Sequence, residues 1–168
     1  EIVAKAGLED ARWLTCPGDG TVITVRGTPG EVDRLSAKDL SNIGSFPFEG
    51  ANVAESKSTV EVVGNDAFVA GGPAGTFIID LATGAEVGRI PIRDGAHVDA
   101  ETVTNAVSVD GDLVFVSNGS GGVYVVQASQ DLTQARAEVA PTFELVGRIA
   151  FSGDGGGSVN HIVYRDGF

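Results

Sequence analysis

Three stretches of this sequence hold the side chains best suited to binding chemistry: Glu49, Asn52 and Glu55, then Asp94, His97, Asp99 and Glu101, then Asp154. Carboxylate and amide oxygens are what a hard cation takes, so if the three stretches converge they make a calcium site, with Asp94, Asp99 and Asp154 as the candidate ligands. No single stretch has the Asp-x-Asn-x-Asp-Gly spacing of a dedicated calcium loop. Solvated acidic surface is the competing reading. A second candidate set, for a polar ligand, is Asn105, Asn160, His161 and His97. Asparagine also bonds readily to nearby main chain, so Asn105 and Asn160 fit equally a structural role in tying down loops. With 2 histidines in the chain, a metal or acid–base constellation built from this sequence alone is thin. No catalytic residue is assigned.

Other motifs carry weaker chemistry. Gly153-Asp154-Gly155-Gly156-Gly157-Ser158 lacks the lysine and following helix of a phosphate-cradling loop and reads as an inter-blade connection. Asn118-Gly119-Ser120 matches a glycosylation acceptor on an expected exposed turn, though in a bacterial chain such a motif is normally only a turn. Cys16 has no basic neighbour to activate it and reads as an inert thiol at a strand end. Trp13, on a first strand, is expected to pack between sheets.

The elements that must position these residues come from an internal repeat. One copy runs Thr59–Val63, a Gly64-Asn65-Asp66 turn, Ala67–Ala70, Gly71–Gly75, Thr76–Asp80, an Ala82-Thr83-Gly84 turn, then Glu86–Ile92. Each apolar run is of strand length and each break has turn chemistry. A later copy follows the same order through Asn105–Val109, Leu113–Val116, Val123–Gln127 and Leu145–Phe151. An earlier, more diverged copy uses Arg12–Thr15, Val22–Val25, Val32–Leu35 and Ile43–Phe48. The recurring Gly44, Gly88 and Gly147 stand 44 and 59 residues apart, the longer interval absorbing a surface excursion over Asp131–Thr142.

A period of about 45 residues with four short strands per copy predicts an all-β fold, a β-propeller, here partial. A small four-stranded sheet cannot bury both faces alone, so neighbouring blades must cover them. That explains the near-continuous apolar runs Phe68-Val69 and Phe77-Ile78-Ile79. A solenoid of hairpins is the alternative, with coils shorter than this period. The blades are expected at 9–49, 55–93 and 103–152, within one propeller domain covering 1–168. Residues 158–168 are expected to start a further blade, and Ile2-Val3-Ala4 to end a preceding one. The expectation is therefore a parent protein that runs on in both directions and supplies the remaining blades.

Composition narrows the function classes. With 23 acidic against 11 basic residues and a formal net charge of −12, the chain's field repels phosphate backbones and anionic lipid heads. Nucleic acid and membrane-surface partners are therefore set aside. No apolar run has the length of a spanning helix, so no membrane insertion is expected. A lone Cys16 leaves the redox compartment open.

The element Phe68-Val69-Ala70, a Gly-x-x-Gly turn and Thr76-Phe77-Ile78-Ile79-Asp80 resembles the LVIVD-repeat family of bacterial and archaeal propeller-like proteins. Asp80 stands at the family's aspartate, while Gln127 and Ser36 replace it in the other copies. The resemblance implies an extracellular, cell-surface or periplasmic location. The expected function is a non-catalytic binding scaffold for proteins or other extracellular polymers. Two alternatives stand beside it: a propeller hydrolase with a metal-assisted channel site, and a structural module of a surface assembly. No cofactor is assigned beyond the calcium alternative.

Overall fold

The structure, a computed structural model, describes residues 4–49, 57–91, 103–136, 139–151 and 157–165. Twelve strands form three four-stranded antiparallel sheets, and no helix occurs among the described residues. The first blade holds β1 (Ala11–Thr15), β2 (Thr21–Arg26), β3 (Glu31–Ser36) and β4 (Asn42–Pro47). The second holds β5 (Val60–Val63), β6 (Asp66–Ala70), β7 (Thr76–Asp80) and β8 (Glu86–Ile90). The third holds β9 (Ala106–Asp110), β10 (Leu113–Ser117), β11 (Val123–Ala128) and β12 (Phe143–Ile149). Each sheet is a simple meander in sequence order, its strands joined by short turns except for the longer excursion between β11 and β12.

Blade two is the centre of the packing because it is covered on both faces. On one side Val60, Ala67, Val69, Phe77 and Ile79 meet Ile23, Val25 and Val32 of blade one. On the other, Phe68, Ile78 and Ile90 meet Val107, Val114, Val116 and Tyr124 of blade three. Period-2 alternation sends successive residues of β7 to opposite faces, and both faces are buried, so all five positions must be shielded from water. Each fully buried Phe, Ile or Val contributes about 1.5–3 kcal/mol, so Phe77, Ile78 and Ile79 add to the cores on both sides of the strand.

The turns follow from particular residues. Gly72 and Gly75 adopt φ of +60° and +88°, and their counterparts Gly119 and Gly122 adopt +53° and +88°. A side chain at Gly122 would also meet the backbone oxygen of Ile149 at 2.2 Å. After β7, Asp80 Oδ1 accepts N–H bonds from Ala82 (2.8 Å) and Thr83 (2.9 Å), closing the Ala82-Thr83-Gly84 turn. In blade one Ser36 does similar work, its hydroxyl accepting from Lys38 N–H at 3.2 Å. Gln127 instead reaches sideways and donates to Asp112 (2.9 Å).

The excursion between β11 and β12 is pinned to blade two. Arg136 forms ion pairs with both Asp66 and Asp80, and Leu132 packs against the core shared by blades two and three. Asn118 lies at the β10–β11 turn but is 1% exposed, its Oδ1 accepting the Thr104 hydroxyl at 2.7 Å. The expected exposed acceptor is therefore a buried structural amide: its turn folds back onto the strand entry at Thr104 instead of facing solvent. No helix long and apolar enough to cross a membrane occurs among the described residues.

Candidate functional site

The first strands of the blades lie side by side, so that β1, β5 and β9 surround a central space. Polar side chains tie them together by one recurring device. Val107 N–H donates to Thr59 Oγ1 (3.2 Å), and two residues on Val109 N–H donates to Glu61 Oε2 (3.0 Å). The inward-facing amides of an innermost strand have no ladder partner, and a side chain of the preceding blade satisfies them.

Residues 157–165 extend the pattern. Val159 makes an antiparallel bridge with Gly119, as Thr104 does with Gly72 one blade earlier. Tyr164 N–H donates to Ser108 Oγ (3.1 Å), as Val109 N–H does to Glu61. This segment therefore takes the place of a fourth innermost strand. Its Tyr164 ring stacks on Phe115 of blade three at 4.4 Å, and its His161 ring lies 4.9 Å from that of Trp13 of blade one.

The result is a channel of about 420 Å³ lined by Trp13, Thr15, Glu61, Ser108, His161 and Arg165 among others. Glu61 is its electrostatic centre. Burial pushes the Glu61 carboxyl above the ordinary glutamate range, partly opposed by hydrogen bonds from the Ser108 hydroxyl and Val109 N–H and by attraction to Arg165. Ser108 thus donates to Glu61 while accepting from Tyr164, linking blade two, blade three and the fourth strand in one chain of bonds.

The structure places the sequence candidates as follows. Asn105 is buried; its Oδ1 accepts from Lys57 N–H (3.2 Å) and its Nδ2 donates to Val159 O (3.4 Å) and Asn160 Oδ1 (3.3 Å). Asn160 is exposed and also accepts from the Ser158 hydroxyl at 3.4 Å. The two asparagines are brought together, as a lock between strand entries. His161 is exposed beside Trp13. His97, Asp94, Asp99 and Asp154 lie outside the described residues, as do Asn52, Glu55 and Glu101. Glu49 is exposed near Arg89. Among the described residues no group of three or more His, Cys, Asp and Glu is arranged to hold a metal.

Trp13 differs from expectation. It is 40% exposed at the channel, its ring 4.9 Å from that of His161. Glu61 and Ser108 were not singled out by sequence, although a lone carboxylate in the run Val60-Glu61-Val62-Val63 marks a strand position that does not simply join the apolar core.

A second cleft of about 290 Å³ opens between blades two and three, over Thr104, Asn118 and Tyr124. Arg89 also lines it, with its guanidinium held by Glu86 through two bonds of 2.9 Å and placed over the Phe77 ring at 4.3 Å.

No family model and no curated protein matches the chain. Solved structures do. The crystal structure of the computationally designed Ika4 protein matches with TM-score 0.55 at 10% identity, covering 83% of this chain and 78% of that one. The computationally designed Ika8 protein matches with TM-score 0.51 at 10% identity, over 75% of this chain and 34% of that one. BamB from Moraxella catarrhalis, a β-propeller, matches with TM-score 0.51 at 15% identity, over 86% of this chain and 40% of that one. The chain thus spans about two-fifths of BamB and a third of Ika8. At these identities the likeness establishes the fold: an all-β, propeller-like arrangement of four-stranded blades.

Proposed function

We propose that this chain is a non-catalytic propeller scaffold that binds a protein or another extracellular polymer at the mouth of its channel. The observation that carries the reading is how the channel's polar groups are used. Glu61, Ser108, Thr59 and Asn105 all bond to backbone amides or carbonyls of neighbouring blades, so they hold the ring together. Each of these groups makes at least one bond that joins neighbouring blades, which supports a holding role over a catalytic one. What faces outward is the Trp13–His161 pair, an aromatic surface of the kind that anchors binding interfaces. A location outside the cytoplasm goes with the LVIVD resemblance of the Phe68–Asp80 element.

The chain holds 1 tryptophan, so its emission reports the channel mouth directly. Cell-envelope polysaccharides and purified surface proteins are titrated against the full chain while Trp13 emission is followed, and each ligand is then recovered and its mass measured. A saturable emission change with the ligand recovered intact supports the scaffold. A ligand recovered cleaved would replace it with the hydrolase reading.

A further inference from the structure

We propose that residues 129–136, the first limb of the excursion between β11 and β12, are a strap that opens independently of the blades and is latched by charge, with Arg136 as the latch. The latch answers a conflict built into blade two. Asp66 and Asp80 stand directly opposite each other on β6 and β7, an arrangement in which like charges repel. Arg136 comes from blade three's excursion and meets both. Its Nη1 lies 2.8 Å from Asp80 Oδ2, its Nε donates to Asp66 Oδ2 at 3.3 Å, and its Nη2 also pairs with Asp66. One guanidinium thus bridges two carboxylates of the neighbouring blade. Its side chain is one-third exposed, so salt can screen the bridge.

Among the described residues few other bonds hold this limb. At its base Ser129 N–H donates to Thr142 O (2.9 Å). Further out, Leu132 N–H donates to Gly111 O (2.8 Å), and the half-buried Leu132 side chain packs against the core shared by blades two and three. Asp131, Thr133, Gln134 and Ala135 are exposed. Asp131 Oδ1 accepts from both the N–H (2.8 Å) and the hydroxyl (2.6 Å) of Thr133, so the turn is bonded within itself and can lift as a unit. A segment with few buried apolar contacts and few main-chain bonds opens at a lower free energy than the sheets beneath it. Lifting it uncovers Phe68, Ile78 and Val87, which together with Leu132 line a narrow gap of about 20 Å³ under the strap. Ionic strength therefore sets how often an apolar strip at the boundary of blades two and three meets solvent.

The test follows hydrogen exchange of the Leu132 amide in the full chain by NMR, against the ladder amides of β6, β7 and β10. Salt is raised from about 0.1 to about 1 M, which shortens the screening length from about 10 to about 3 Å. The Leu132 amide is expected to be protected at least about tenfold less than those ladder amides, and salt is expected to speed its exchange about threefold more. In Arg136→Gln its exchange at low salt is expected to be about three- to tenfold faster than in the parent, with the added effect of salt gone and the ladder amides unchanged. Leu132 exchanging at the rate of the ladder amides would overturn independent opening. A Leu132 amide indifferent to salt and to Arg136→Gln would overturn the latch. Ladder amides that speed up with Leu132 in Arg136→Gln would make Arg136 a part of the blade packing, and that too would overturn the strap.

Discussion

Replacing Glu61 separates its two roles, as an acceptor that joins blades and as a buried charge. In Glu61→Ala, Val109 N–H and the Ser108 hydroxyl both lose their acceptor. Hydrogen bonds to charged groups contribute about 1.5–3 kcal/mol each, so two are worth about 3–6 kcal/mol. Against that stands relief of the burial that raises the Glu61 pKa, together with water reaching the exposed groups in an open channel. A net loss of about 2–3 kcal/mol follows, with Glu61→Gln, which keeps an acceptor, within about 1 kcal/mol of the parent. The pH dependence is sharper than the magnitude. The folded-state pKa lies above the unfolded value, so the native state holds the proton more tightly. The contribution is fully present below the unfolded glutamate pKa, about 4.3, and is lost as pH rises through the folded pKa. Carboxylates held low, such as Asp80, act in the opposite direction, so the quantity to measure is the difference between parent and Glu61→Gln. Urea unfolding followed by Trp13 emission at several pH values above 4 should show that parent stability, relative to Glu61→Gln, falls as pH rises. A difference that stays flat or rises would refute the account of Glu61 as a buried carboxylate raised by desolvation.

Gly122→Ala should destabilise the chain by about 2 kcal/mol or more, since a positive φ costs a non-glycine residue about 1–2 kcal/mol and the new Cβ must also displace the Ile149 carbonyl; thermal unfolding reads it. For Asp80, burial pushes the carboxyl up, but the Thr83 and Ala82 N–H groups and Arg136 outweigh it and hold the pKa below the ordinary aspartate range. Its contribution is therefore present above the unfolded value of about 3.9 and lost as pH falls through the folded pKa, and Asp80→Ala should cost about 2 kcal/mol at pH 7 while removing that acid sensitivity in denaturant melts. A calcium chelator is expected to leave the melting temperature of the full-length protein unchanged; a chelator-induced drop reversed by calcium would assign a native-state cation and return Asp94, Asp99 and Asp154 to consideration.

How much of this was legible from sequence depends on whether the cause is local. The strands of blade two are: Phe68-Val69 and Phe77-Ile78-Ile79 are apolar at every position because both faces are covered, and the paired glycines around Pro73 and Ser120 are set by positive φ at the turns. The aspartate of the repeat, Asp80, was visible as a motif, and its work as a turn acceptor follows from its place before Ala82-Thr83. The channel was not legible in the same way. Glu61 meets Val109 and Ser108 meets Tyr164 across blade boundaries, and nothing in the run Val60–Val63 names the amide its carboxylate will serve. Asn118 is a shorter-range case: its side chain is buried within its own blade, where its Oδ1 accepts from Thr104 at the entry to β9. Asn105 and Asn160 were recognised as equivalent positions from the repeat, but their bond to each other depends on how successive strand entries meet in space.

The central claim is that residues 157–165 take the place of a fourth innermost strand beside the channel. It is tested most directly by proton–proton Overhauser contacts in the full chain, measured by NMR between two ring pairs far apart in sequence. The account predicts contacts between Trp13 and His161 and between Phe115 and Tyr164, whose ring centroids lie 4.9 and 4.4 Å apart. Absence of both contacts, with the contacts within β5–β8 intact, would contradict it: the segment would lie elsewhere, and the channel would fall with it.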